Sequence, residues 1–244
     1  CGRANFNRIV GGTDAGQCEY PWMVLLYNQV TQKICGGSII GPRDILTASH
    51  CLFDLDERFD YEKAQANQLI VFSGSSAMPI GGNVPTTGLR RNYVAQVIIH
   101  PDYEPSTARN DVAMLRLRAD LPQDNCHTPV CLVTGQESPQ AATGCRTMGW
   151  GKTINDPDGD ASSDLKWTSL SIISDFECRR IYGPQQHQAL HCGDSGGPLV
   201  CRGSDGSFYQ HGIVSLGLDG ECGKTAGLYT RVTTFLPWIK ANLV

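Results

Sequence analysis

Three short apolar runs lead to one histidine: Trp22-Met23-Val24-Leu25-Leu26-Tyr27, then Ser38-Ile39-Ile40, then Asp44-Ile45-Leu46-Thr47, three residues before His50. Each run is too short for a helix that buries a face, and turn residues bound each one, so the reading is strands. The pattern continues outward at 69–72, 94–99 and 112–117, and in the second half at 147–150, 165–172, 198–201, 210–216 and 227–232. Two segments read as helical, a short one at 175–181 and a closing one at 233–242 with Pro237 placed in its first turn. The charged stretch 54–63 reads as a solvated loop, and the Asp-Pro-Asp-Gly region within 155–164 as a long polar loop open to proteolysis. The sum is an all-β protein built of barrels with a terminal helix.

Composition narrows the function. The chain has 244 residues, with 27 Gly and 13 Pro, which suits many turns and short strands. Its net charge of −4 gives no electrostatic case for nucleic acid or an anionic membrane as partner. Eleven cysteines without a CxxC pair point to disulfides and a secreted, extracellular protein. With no signal peptide or transmembrane run, a mature or excised form is expected. No N-glycosylation sequon occurs either.

Peptide hydrolysis by a serine needs a base for the hydroxyl proton, an acid to orient that base, and donors for the oxyanion. Gly193-Asp194-Ser195-Gly196-Gly197-Pro198 offers a nucleophile between glycines, whose freedom lets the amides of Gly193 and Ser195 point at one spot. His50 follows an apolar strand, and Asp111 opens another in Asn110-Asp111-Val112-Ala113-Met114-Leu115.

Together these segments resemble the trypsin/chymotrypsin family, with His, Asp and Ser in the family's order. His100-Pro101-Asp102-Tyr103, Gly149-Trp150-Gly151, Gly227-Leu228-Tyr229-Thr230-Arg231-Val232 and Trp238-Ile239 extend the likeness over nearly the whole chain. The resemblance implies two perpendicular six-stranded antiparallel β-barrels, about 9–120 and about 121–232, and a C-terminal helix at about 233–243. It implies catalysis by His50, Asp111 and Ser195, with Ser215 supporting the aspartate and no cofactor or metal. Residues 73–84 hold no Asp or Glu for calcium, and Cys178, His187 and His191 do not make a zinc set. Arg8-Ile9-Val10-Gly11-Gly12 resembles the family's activation site. Cleavage there by an activating protease would free the Ile9 amine to pair with Asp194, so the chain as written is a zymogen with pro-segment 1–8. Protein or peptide substrates and protein inhibitors are the implied partners.

The family also implies Cys1–Cys131, Cys35–Cys51, Cys145–Cys201 and Cys192–Cys222, leaving Cys18–Cys126 as an extra pair and Cys178 over. The chain departs from the family just before Ser195, where a block near 182–191 is shorter by roughly ten residues. The trypsin-type pocket aspartate falls at Ala189 or Leu190, and neither can pair with a cation. Leu216 replaces a tryptophan on the pocket wall, while Gly217 and Gly227 keep the wall glycines. Three explanations fit: a segment missing from the sequence as given, a remodelled apolar pocket, or a catalytically weak homologue that acts by binding.

Overall fold

The computed structural model describes residues 1–5, 14–55, 61–78, 88–135, 143–151, 162–174, 176, 178, 180, 195–216 and 227–244. Fourteen strands run in chain order: β1 Met23–Asn28, β2 Ile34–Ile39, β3 Asp44–Thr47, β4 Phe53–Leu55, β5 Tyr61–Lys63, β6 Leu69–Ser73 and β7 Arg90–Ile99 belong to the first half with β8 Ala113–Leu117. The second half holds β9 Cys131–Leu132, β10 Thr143–Gly149, β11 Lys166–Leu170, β12 Pro198–Arg202, β13 Phe208–Leu216 and β14 Leu228–Arg231, followed by helix α1 Val232–Asn242.

Strands β1-β2-β3-β8-β7-β6 close into a barrel. Closure requires residues that fill the inside while the outside is covered, and β1 and β6 meet it with nearly continuous burial. β7 alternates instead: Asn92 and Val94 point inward, while Arg91, Tyr93 and Ala95 face solvent. The second sheet has six strands, in the order β11-β10-β12-β13-β14 with β9 parallel to β13. Ser38 Oγ donates to Gln210 Oε1 at 2.7 Å where the two halves meet, both side chains fully buried.

Disulfides Cys1–Cys131, Cys18–Cys126, Cys35–Cys51 and Cys145–Cys201 are all formed. Cys192 and Cys222 lie outside the described residues. Cys178 is buried with Leu228, against Ile173. The N-terminal arm is docked beyond its disulfide, with Gly2 N donating to Pro129 O and Phe208 N to Gly2 O, both at 2.8 Å.

Three details differ from the sequence reading. The stretch 54–63 is not wholly loop, because β4 and β5 pair as a hairpin directly after the His50 turn; its charged side chains hid the pairing. Helix α1 begins at Val232, so Pro237 lies in the helix interior rather than its first turn, and it removes the N–H that would bond Thr233 O. β9 is two residues long, too short for any periodicity to betray it. The expected short helix is represented by Phe176, Cys178 and Arg180, all helical.

Candidate active site

His50 sits in a single 3-10 turn, Ser49–Leu52, that follows β3. The turn is tied to the residue just before β8 by Ser49 Oγ, which donates to Val112 O at 2.7 Å, and by disulfide Cys35–Cys51 to β2. Asp111 enters β8 from a tight turn. Asn110 has φ +55°, a left-handed conformation that asparagine tolerates better than most residues. Its side chain donates to Asp102 O at 2.7 Å and so holds the turn.

The Asp111 carboxylate is 1% exposed and accepts three hydrogen bonds. His50 N donates to Oδ1 at 2.8 Å, while Oδ2 receives His50 Nδ1 at 2.7 Å and Ser215 Oγ at 2.5 Å. A carboxylate only accepts, so Nδ1 carries the proton and Nε2 is left with a lone pair. That is the tautomer of a base. Three donors also offset the cost of burying the charge. Thr230 Oγ1 donates to Asp111 O at 2.8 Å and fixes the backbone from the second sheet.

Ser215 reaches Oδ2 because of an irregularity in pairing. Val214 pairs with Tyr229 and Leu216 with Leu228, so Ser215 is the extra residue of a bulge. A bulge re-aims a side chain that regular pleating would send elsewhere.

Ser195 is held between the two halves. Its carbonyl accepts from Gly36 N of β2 at 2.7 Å, and Gly196 N donates to Val214 O of β13 at 2.8 Å. Gly196, at φ +80°, is pressed so closely on the first barrel that a Cβ would lie 2.3 Å from Thr47 Oγ1, 2.6 Å from Gly36 O and 3.1 Å from Cys51 Sγ. The serine thus stands beside the His50 turn, although no hydrogen bond joins it to the imidazole among the described residues. Such contacts are often loose before substrate binds. Gly227 is buried and Leu216 lies at the end of β13. Arg8, Ile9, Ala189, Leu190, Gly193, Asp194 and Gly217 lie outside the described residues.

Burial, then the Asp111 charge, then Tyr61 push the Tyr103 phenol well above its ordinary pKa, so this neighbour stays neutral. A second Ser-His-Asp string exists, with His127 bonded to Asp124 Oδ1 at 2.8 Å and Ser73 Oγ at 3.0 Å. Ser73 is 2% exposed, so no substrate carbonyl can meet it, and the string instead ties the stretch after β8 to β6. Cys35, His50 and Cys51 group as metal-type side chains among the described residues, but both sulfurs are consumed in their disulfide.

Sequence reasoning missed the roles of Asn110 and Thr230. Thr230 stood within a family-like run, and Asn110 beside Asp111. A buried Asp111 bonded to a partly exposed His50, with Ser195 held between a closed barrel and a second six-stranded sheet, agrees with comparison to known families: the Trypsin family model matches residues 9–239. The chain belongs to the Trypsin family, whose members are typically serine endopeptidases acting on protein substrates. A domain of this family with four disulfides among its described residues has the character of an extracellular protein, and no helix among the described residues is long and apolar enough to cross a membrane.

Proposed function

We propose that this protein is a secreted serine endopeptidase zymogen, activated by cleavage between Arg8 and Ile9, with His50, Asp111 and Ser195 as its catalytic residues. The observation that carries the reading is the buried Asp111 carboxylate bonded to both His50 N and His50 Nδ1, which leaves Nε2 as the acceptor, with Gly196 after Ser195 packed against Thr47 and Cys51 on either side of His50 in the chain. Ser195 Oγ attacks the scissile carbonyl and its proton passes to Nε2. The amides of Gly193 and Ser195 hold the oxyanion. The imidazolium then gives its proton to the leaving amine, and the acyl-enzyme forms. Water repeats the cycle in reverse order and releases the acid. Asp111 does not change protonation; its charge stabilises the imidazolium and its geometry keeps the tautomer.

Residues 1–8 are the pro-segment and 9–244 the peptidase domain. The Cys1–Cys131 disulfide and the Gly2 hydrogen bonds support a pro-segment that stays attached after the cut. The activating protease cleaves after arginine. On activation the Ile9 ammonium pairs with Asp194, a buried charge pair that orders the oxyanion loop. The substrate pocket takes Ala189, Leu190, Ser215, Leu216, Gly217 and Gly227, and none of these side chains can pair with a cation.

A second reading follows from the short stretch before Ser195: a weak homologue that binds rather than cuts. Activated protein titrated with a fluorophosphonate separates the two. Stoichiometric labelling that Ser195→Ala abolishes supports the peptidase; absence of labelling in the cleaved wild-type protein refutes it.

A further inference from the structure

Lys33 precedes β2, and its ammonium donates to two backbone carbonyls of the His50 region, His50 O at 2.8 Å and Phe53 O at 2.7 Å. Its third neighbour is the Asp54 carboxylate at 3.4 Å. Asp54 is in turn held by Asn28 Nδ2 at 3.3 Å, from the last residue of β1, and by Thr31 Oγ1 at 3.2 Å, from the segment joining β1 to β2.

His50 O is an oxygen at the end of a 3-10 turn, where carbonyls lack further helical donors. Phe53 N satisfies it once, and Lys33 supplies the second bond. A cation at the carbonyl end of a helical turn is favoured by the turn's dipoles as well as by hydrogen bonding. The ammonium lies on one side of the turn, and the Asp111 carboxylate bonded to His50 N and Nδ1 lies on the other. Between them the backbone and ring of His50 are fixed from both ends of the residue. The same ammonium grips Phe53 and Asp54, the first residues of the β4–β5 hairpin, so the hairpin and the His50 turn are joined through one side chain.

We infer that Lys33 is a positioning residue for His50: it clamps the turn so that Nε2 faces Ser195, and it couples the β4–β5 hairpin to that alignment. The inference rests on His50 acting as the base. Lys33 touches no reacting atom. Its loss leaves the His50–Asp111 hydrogen bonds but lets the turn that carries them shift against Ser195, which slows chemistry while substrate binding is kept.

The test uses protein cleaved after Arg8 and measures inactivation by a fluorophosphonate, separating the first-order constant kinact from the binding constant KI. Labelling of the wild type establishes the peptidase reading independently; a wild type that does not label defeats that reading and this one with it. Given labelling, Lys33→Met lowers kinact between about 10-fold and about 100-fold, the larger figure being the loss for a displacement of about 1 Å. KI stays within about twofold. Lys33→Arg, which keeps charge and several donors, restores kinact to within about threefold of wild type. The Lys33 side chain is 32% exposed, so methionine is accommodated; should that variant not fold, Lys33→Gln takes its place. An unchanged kinact in Lys33→Met, or a loss that Lys33→Arg does not restore, overturns the assignment.

Discussion

Replacing Gly196 by alanine tests how Ser195 is held. Two costs add. The backbone at φ +80° is left-handed, which costs an L-residue about 1–2 kcal/mol. The new methyl also meets Thr47 Oγ1 at 2.3 Å and Gly36 O at 2.6 Å, and the second of these is backbone that cannot swing away. Overpacking of this kind costs about 1–3 kcal/mol, for a sum of roughly 2–5 kcal/mol. Gly206 is the control, because its φ of +81° matches and its nearest atom, Arg202 Nη2, is 3.8 Å from the added Cβ. Gly206→Ala should therefore show the backbone cost alone. With an m-value of about 3 kcal/mol/M in urea, Gly196→Ala lowers the midpoint by about 0.7–1.7 M and Gly206→Ala by about 0.3–0.7 M. Because the clash is relieved by moving Ser195 away from the His50 turn, Gly196→Ala also loses about 100-fold in fluorophosphonate reactivity. Gly206→Ala keeps it. Equal midpoints for the two variants, or full reactivity in Gly196→Ala, would refute the claim that contact between Gly196 and β2–β3 sets the serine's place.

Asp111→Asn presents an amide toward Nδ1 and drives the imidazole proton to Nε2, so kcat against a peptide substrate falls by about 10⁴, the loss known for the same change in the triad template. Ser215→Ala removes a hydroxyl donor from a buried carboxylate and should cost about 1.5–3 kcal/mol in urea unfolding. His100 packs edge-on to Phe235 at 5.1 Å and beside Trp238 at 5.2 Å, and burial lowers its pKa below 6.5 despite an opposing pull from Asp102. The folded state thus binds its proton less readily than the unfolded chain. Stability from this contact is present above pH 6.5 and lost as pH falls through the folded value; a thermal midpoint that His100→Gln makes less pH-sensitive there would bear this out. Tyr20, Tyr103 and Tyr229 are all raised by burial, so these three phenols should stay un-ionised in the native protein at about pH 10 and ionise there on unfolding, read by ultraviolet absorbance. Cys1→Ser should release residues 1–8 on cleavage after Arg8, read by mass under non-reducing conditions, whereas the wild-type protein retains them.

Much of the fold was written in strand-length apolar runs. Of these, 44–47 matched its strand to the residue and most others ran one to four residues short at an end. The errors have physical causes. β4 and β5 form because hairpin pairing satisfies the backbone after the His50 turn, whatever their solvent-facing charges suggest. Pro237 falls inside α1 because tertiary packing of Leu236 and Ile239, both buried, outweighs one missing hydrogen bond.

The sequence by itself singled out the groups proposed to do the chemistry: His50, Asp111 and Ser195 are legible because the signal resides in side-chain type and in short flanking strings. It also carried the likeness to a family, and with it three disulfides that the structure forms, Cys1–Cys131, Cys35–Cys51 and Cys145–Cys201, while Cys18–Cys126 was the pair left over. Only the tertiary structure decided how those groups are aimed. Ser215 turns to Asp111 through a bulge set by pairing with β14, Thr230 crosses from the second sheet, and Lys33 grips oxygens 17 and 20 residues further along. Backbone oxygens carry no residue identity, and strand register depends on distant partners, so neither leaves a mark in the local sequence.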